Sequence, residues 1–443
     1  MLYTNEEHVD SASATVTTPS SCAGAFAGEA QLKFVIAGPH KLQVADLLWS
    51  RIHHFCLTLL RLIVTSGNVT IVLPDGSRAH LGDGLGSPVV VRLITNFCLL
   101  RMMLSPWYQV GAQYVDEKWI VEEGRLADLI SALARTGHKF ERETQTGRLI
   151  FKLRRLIFVH QQKYGVRHSM QNVEHHYDFG DDLFESFLDS NLNYTCADFE
   201  RGEATIDQAQ DAKIRNALKR LELRSGHRLL EIGCGWGALS QLAAAEYGAV
   251  VTGLTLSRNQ LTYSEARVAT LPSSVRPRYL LEDYRQHEST RKELYDRVVS
   301  IGMLEHVGYR QLARYFAEVA RLLKPDGVAL VHTIARRDLG VTNPWLSRNI
   351  FPGGYIAQRD EIIAAARSNG LVLTDRTYSY APGNYIKTLR HWADRFSRSW
   401  PVLLKYRYPD RVRRTYDFYF AASEAAFREL DMQAVQFVFK KAI

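Results

Sequence analysis

Three glycines at alternate positions, Gly233, Gly235 and Gly237, follow the run Leu229-Leu230-Glu231-Ile232 and precede a helical pattern from Ala238 to Ala245. This order reads as strand, tight turn and helix. A glycine turn at a strand end lets a nucleotide-like ligand approach the main chain where a Cβ would stand in the way. The loop lacks the Lys-Ser/Thr ending of a phosphate-cradling P-loop, and its spacing is not the GxGxxG of dinucleotide sites. The other reactive residue types show no comparable spacing. Cys22, Cys56, Cys98, Cys196 and Cys234 are scattered without a CxxC pair, and His53-His54 and His175-His176 lack the i, i+4 step of a helical metal site. No metal is expected, and this thiol usage fits a reducing cytoplasm.

The elements that must position the glycine turn begin after Ala204 and alternate. A helix is expected from Asp207 to Leu221, then the glycine strand and its helix, strand Ala249–Leu254, and a helix from Ser257 with that serine as N-cap. Strands 276–281 and 295–301, a helix over 309–322 and a strand over 328–334 follow. Such alternation predicts a doubly wound, largely parallel sheet, whose ligands sit at the carboxyl ends of the strands. Gly233, Glu282, Gly302 and His332 fall at such ends and share one rim.

Upstream lies a smaller unit. Helical spacing runs from Lys41 to Val64, strand patterns occupy 69–73 and 89–94 with the turn Pro74-Asp75-Gly76 between them, and helices are expected over 96–104 and 126–133. No catalytic constellation occurs there, so the unit reads as a docking module. From Gly137 to His168 the chain changes character. Lys139, Arg142, Arg148, Lys152, Arg154, Arg155, Lys163 and Arg167 are interleaved with Leu149, Ile150, Phe151, Leu153, Leu156, Ile157 and Phe158. A basic amphipathic helix of this kind can lie on an anionic membrane, or can pack its apolar side on the protein as a linker.

Length and charge bound the rest. A chain of 443 residues exceeds one ordinary domain, and 46% hydrophobic with 23% charged residues is a globular composition. The net charge of +8 favours an anionic partner, nucleic acid or acidic lipid. No signal peptide is expected at the acidic N-terminus, and the apolar stretch from Phe55 to Val64, interrupted by Arg61, is too short to span a bilayer. Any membrane role is therefore expected at the surface.

The E-x-G-x-G-x-G form is that of class I methyltransferases that use S-adenosylmethionine, and further motifs make the resemblance narrower. His176-Tyr177-Asp178-Phe179-Gly180, Phe187-Leu188-Asp189 and Tyr194-Thr195-Cys196-Ala197 resemble the HYD-x-G, FLD and YSCA motifs of the cyclopropane fatty acid synthase family. Thr255-Leu256-Ser257 with Gln260, Glu282-Asp283-Tyr284-Arg285, the run from Ile301 to Gly308, and His332-Thr333-Ile334 resemble its later motifs. The match covers about Val173 to Lys441 and includes Tyr385, Thr388, Leu389 and Trp392. One departure is Asn384, where the family often carries a histidine before the tyrosine.

The resemblance implies an α/β class I methyltransferase domain with a Rossmann-like, mostly parallel sheet over 173–443. It implies a smaller N-terminal α+β lipid-docking module over 31–136, with a basic linker over 137–172 and a flexible arm over 1–30. The implied reaction transfers a methylene group from S-adenosylmethionine to the cis double bond of an unsaturated phospholipid acyl chain, with bound bicarbonate as base. Glu305 and His332 are implied to orient that anion, Tyr385 to donate a hydrogen bond, and main-chain groups at Cys196 and Ile334 to complete the cradle. For the cofactor, Gly233, Gly235, Gly237 and Glu231 are implied at the amino-acid part, Tyr194 and Thr195 over it, Thr255, Leu256 and Gln260 at the ribose, and Glu282 with Asp283 at the adenine. The implied partner is an anionic membrane surface at the inner face of the membrane, and the implied assembly a homodimer. The rival readings are a lipid methyltransferase that leaves a methyl or methylene branch, a small-molecule methyltransferase of the same fold, and a non-catalytic lipid binder. The chain lacks the D/N-P-P-Y/F motif of nucleic-acid methyltransferases, so no nucleic acid is expected.

Overall fold

The computed structural model describes residues 39–161, 180–288 and 294–442. The expected arm over 1–30, the cations Lys163 and Arg167, and the motif residues from His175 to Phe179 lie outside them. The chain falls into two compact units, Met1–Leu48 and Trp49–Ile443. Of the first, residues 39–48 are described, as the opening of helix α1 (Pro39–Ile63).

Within the second unit, β1 (Val69–Val72), β2 (Arg78–Leu81), β3 (Val89–Leu93) and β4 (Trp119–Glu123) form a sheet in the order β2-β1-β3-β4. β1 and β2 are joined by the expected turn, in which Asp75 accepts from Ser77 N at 2.9 Å. Helices α2 (Phe97–Leu104), α3 (Pro106–Val115), α4 (Leu126–Glu143) and α5 (Gln145–Gln161) accompany this sheet. Three of these elements escape sequence reading. β2 and β4 are short and half solvated, so their apolar alternation covers few residues, and α3 carries Gly111 in its middle. The basic stretch is two helices and not one. Thr144 adopts extended angles between them, and its hydroxyl accepts from Gly147 N at 2.9 Å to start the second.

The remaining chain runs α6 (Asp181–Glu185), α7 (Ile206–Arg220), β5 (Arg228–Ile232), α8 (Ala238–Tyr247), β6 (Val250–Thr255), α9 (Arg258–Val268), β7 (Arg278–Leu281), β8 (Tyr295–Ile301), α10 (Leu312–Leu322) and β9 (Leu323–Arg336). It closes with α11 (Pro344–Asn349), α12 (Arg359–Arg367), β10 (Leu371–Leu373), β11 (Tyr378–Ser379), α13 (Pro382–Ser399), α14 (Asp410–Glu429) and β12 (Met432–Lys441). The second sheet has the order β10-β12-β9-β8-β5-β6-β7. β9, β8, β5, β6 and β7 are mutually parallel, and β12 pairs antiparallel with β9. Both faces are covered, so successive strand residues are buried in turn: Leu229 and Val299 pack toward α7 and α8, Leu230 and Val298 toward α10.

The N-terminal sheet is bolted to the C-terminal helices. Arg428 on α14 binds Asp128 on α4 at 2.7 Å, Arg135 binds Glu429 through two bonds of 2.8 Å, and Arg414 donates to the Tyr114 carbonyl at 2.8 Å. At the same contact a Cβ on Gly111 would stand 2.7 Å from Phe418 and 2.8 Å from Trp345. Gly→Ala inside a helix ordinarily stabilises by about 0.5–1 kcal/mol. Here Gly111→Ala is expected to destabilise by about 1–3 kcal/mol, because the rings cannot move apart in a packed core. Urea unfolding of the two proteins checks the sign.

Candidate active site

The glycine turn, the ends of β6, β7 and β8, and the segment 192–195 enclose one cleft. Gly233 N and Cys234 N both donate to the Leu254 carbonyl, at 2.9 and 2.8 Å, which locks the turn to β6. Gly235 has φ +53° with nothing within 4 Å of where its Cβ would be, so at this point the main chain is bare to the cleft. Gly237 does not line the cleft. It caps α8, with Tyr279 Oη 2.5 Å from the place of a Cβ, so packing requires a glycine here.

Of the other residues expected at the cofactor, Tyr194, Thr195, Glu231, Gly233, Thr255, Leu256, Gln260, Glu282 and Asp283 line the cleft. Thr255 Oγ1 donates to Gln260 Oε1 at 2.9 Å, which orients the Gln260 amide in the cleft lining. Glu282 is held by His287 at 2.8 Å, and His287 in turn meets Tyr295 Oη at 2.9 Å. Asp283 differs from expectation. Both its oxygens are taken by Arg285, at 2.8 and 2.6 Å, so Glu282 is the acid available to a ligand there. Glu231 Oε2 accepts from Ser240 at 2.5 Å, and burial pushes its carboxyl up to about 7.

The expected catalytic residues stand on the neighbouring wall, behind the cleft. Glu305 Oε1 accepts from Ile334 N at 2.7 Å, while Oε2 is buried without a hydrogen-bond partner. Burial raises the Glu305 carboxyl against that hydrogen bond. Of the main-chain groups at Ile334 expected around a bound anion, the N–H is engaged by Glu305. Ile334 pairs with Ala434 in the sheet, Ala434 packs on Cys196, and Tyr385 packs on the same cluster with its ring stacked on Phe427 at 4.2 Å. Burial pushes the Cys196 thiol upward, so it stays protonated and is no nucleophile. Asn384, the departure from the family pattern, accepts from Phe199 N at 2.8 Å and donates to Glu200 at 3.2 Å. It anchors the 196–200 segment to α13.

His332 is buried, and desolvation, reinforced by the charges of Lys213 and Arg220, pushes its pKa down to about 3. Its tautomer follows from its neighbours. Arg220 can only donate, and does so to Gln436 Oε1 at 2.8 Å, so the Gln436 amide turns its Nε2 to His332 Nδ1, 3.3 Å away. An amide nitrogen has no lone pair to give, so Nδ1 accepts and the imidazole proton sits on Nε2.

Sequence reading missed Lys213 and the supports of His332. Lys213 is 1% exposed, lines the cleft, and donates to Thr195 Oγ1 at 2.8 Å. Burial lowers it to about 8, with Asp189, Cys196 and Glu231 opposing. Lysine on the solvated side of an amphipathic pattern looks the same in a sequence, and only the lysine's place on the buried face of α7 distinguishes it. Gln436 and Arg220 lie on β12 and α7, and no spacing connects them.

Residues 165–437 match the family model described as mycolic acid cyclopropane synthetase. The chain belongs to this family. It is 32% identical over 376 residues to a cyclopropane-fatty-acyl-phospholipid synthase of Escherichia coli, covering 83% of this chain and 92% of that protein. A cyclopropane mycolic acid synthase of Mycobacterium tuberculosis is 39% identical over 242 residues, covering 51% of this chain and 81% of that protein. Among solved structures, the cyclopropane synthase from Mycobacterium tuberculosis superposes with a TM-score of 0.57 at 34% identity over 61% of this chain and 98% of its own. A mycolic acid cyclopropane synthase complexed with SAH and CTAB gives 0.57 at 33% identity, over 63% and 100%. A coclaurine N-methyltransferase, at 18% identity and TM-score 0.60 over 75% of this chain and 99% of its own, shares the fold. The doubly wound domain is therefore the class I S-adenosylmethionine-dependent methyltransferase fold, as the glycine motif led one to expect.

Two measurements test the site. Gly235→Val places a branched side chain on left-handed backbone at the bare point of the cleft, and S-adenosylhomocysteine affinity by calorimetry is expected to fall more than about tenfold with the fold intact. Nitrogen NMR of His332 is expected to show the Nε2–H form without titration between about pH 5 and 8. In Gln436→Leu that tautomer preference is expected to be lost and kcat to fall about tenfold or more, with S-adenosylhomocysteine affinity unchanged.

Proposed function

We propose that the protein transfers a methylene group from S-adenosylmethionine to the cis double bond of an unsaturated acyl chain in a membrane phospholipid, closing a cyclopropane ring. One observation carries the reading: the segment Gly302–His306 joins the two halves of the site. Gly302, Met303 and His306 line the cleft, while Glu305 turns to the wall that holds Ile334, His332 and Tyr385. Bound S-adenosylmethionine supplies an electrophilic methyl group on a sulfonium. Gly233 and Gly235 would receive its amino-acid part, with Tyr194, Thr195 and Lys213 around it, Gln260 and Thr255 would meet the ribose, and Glu282 the adenine.

An alkene needs no base before it attacks; it needs placement. Its π pair forms the bond to the methyl carbon as the carbon–sulfur bond breaks, and positive charge appears on the other alkene carbon. Tyr194, with Trp392 at 5.2 Å and Phe351 at 6.4 Å, and Phe351 with Tyr419 at 5.5 Å, offer ring faces to that charge. A proton must then leave the transferred methyl so that its C–H pair closes the ring. His332, with its pKa near 3, is a poor base for this step.

The residues fit bicarbonate, which carries both acceptor oxygens and an O–H. Glu305 Oε2 has no hydrogen-bond donor, His332 Nε2–H is a donor, and the buried Tyr385 hydroxyl keeps its proton. Bound among them, the anion supplies the base. The basic balance of the chain suits an anionic bilayer, and among the described residues no helix is long and apolar enough to cross one. The docking module, the basic linker and a homodimer belong to the same reading.

The test uses methyl-deuterated S-adenosylmethionine and unsaturated phospholipid vesicles, with and without added bicarbonate, read by mass spectrometry. A ring product retaining two deuteriums, dependent on bicarbonate, and reduced about a hundredfold or more in Glu305→Gln, is expected. Three retained deuteriums would establish a methyl-branching enzyme instead. Ring formation indifferent to bicarbonate would make Glu305 the base.

A further inference from the structure

Helix α5 is built inside out. Arg154 and Arg155 face the protein: Arg154 pairs with Glu141 and lies 3.9 Å from the Trp107 ring centre, and Arg155 meets Glu361 at 3.6 Å. The opposite face presents Leu149, Leu153, Leu156 and Ile157, which are 59%, 52%, 69% and 53% exposed. Positions 149, 153, 156 and 157 fall on one stripe at helical spacing. A helix that has arginines to turn outward and leucines to turn inward, and does the reverse, presents a contiguous apolar face that marks an interaction site. The inner side of the helix carries Arg154, Arg155 and the half-buried Phe158, and the leucine stripe is a second apolar side that the protein leaves uncovered.

The position and charge of the stripe identify what covers it. Arg148 and Lys152 are exposed beside it, and the seventeen residues of α5 include no Asp or Glu. The helix also adjoins the active site. Phe158 packs on Tyr355 at 6.3 Å, and Tyr355 N donates to the Glu305 carbonyl at 2.8 Å. We propose that the outer face of α5 is the surface by which the protein sits on an anionic phospholipid bilayer, the four aliphatic side chains entering the acyl region and Arg148 and Lys152 meeting the headgroup phosphates. This inference rests on the proposed lipid reaction: the same helix reaches the segment bearing Glu305 from its inner side, through Phe158 and Tyr355, so acyl chains are drawn from the layer the helix occupies.

The experiment compares the full-length protein with Leu153→Glu/Leu156→Glu and with Arg148→Glu/Lys152→Glu. All four positions are exposed, so the fold does not depend on them. Sedimentation with vesicles of unsaturated phosphatidylglycerol and phosphatidylcholine is expected to fall at least tenfold for both variants, and vesicle turnover with it. S-adenosylhomocysteine affinity, and turnover of the same phospholipid dispersed in non-ionic detergent micelles, are expected to stay at wild-type values. Unchanged vesicle binding in the leucine variant would overturn the proposal, as would loss of micellar turnover alongside vesicle turnover. A shift from dimer to monomer in light scattering would also overturn it, by making the stripe a contact between two copies of the chain. A wild-type protein that binds vesicles through this stripe but forms no lipid product would leave the docking surface standing and remove the proposed reaction.

Discussion

The turn that follows β8 is stitched to β9 from both sides, and the site depends on that stitching. Gly302 N donates to the His332 carbonyl at 2.9 Å, Ile334 N donates to the Glu305 carboxylate at 2.7 Å, and Tyr355 N donates to the Glu305 carbonyl at 2.8 Å. Gly302 has φ +68°, and Thr195 Cγ2 lies 2.4 Å from where its Cβ would be, so glycine is required for the Tyr194-Thr195 segment to close down on the turn. Four residues thus hold a cofactor wall on one side and an acid on the other. Displacing the turn would move both, which couples the cleft lined by Gly302 and Met303 to the buried Glu305 carboxylate.

The interior around this turn is arranged so that charge is scarce before substrate arrives. His332 and His306 are driven neutral by burial, His306 to about 4, and Tyr385 and Cys196 keep their protons for the same reason. Lys213 is a buried cation at the cleft, tied to Thr195 and opposed by Glu231 and Asp189. A medium of this kind strengthens whatever electrostatic contacts a ligand brings. The tautomer of His332 is fixed from outside the pocket, by Arg220 acting through Gln436, so a surface-proximal arginine sets the direction of a buried donor.

The N-terminal sheet and the C-terminal helices form a continuous packing. Gly111 admits Phe418 and Trp345 against α3, and ion pairs and hydrogen bonds from α3, from α4 and from Arg125 before it cross to α14. α5 is the exception. Arg154 and Arg155 are turned to the protein while Leu149, Leu153, Leu156 and Ile157 are left outside, exposed apolar area that an apolar surrounding would stabilise.

By itself the sequence determined the parallel sheet and its glycine turn, because strand–turn–helix alternation and glycines at left-handed positions are local requirements of the backbone. It also marked Tyr194, Thr195, Gln260 and Glu282 through motif resemblance, and the cleft brings these together. Other features were decided only by tertiary structure. Asp283 is neutralised by Arg285 and Gly237 serves a cap, outcomes that depend on which neighbour the fold supplies. Lys213, Gln436 and Arg220 carry no local signature, since burial and long-range pairing give them their roles. The basic stretch had two possible orientations of its apolar side, and periodicity is blind to which side faces inward. That orientation follows from where Glu141, Trp107 and Glu361 stand in the fold, and these lie on three different elements.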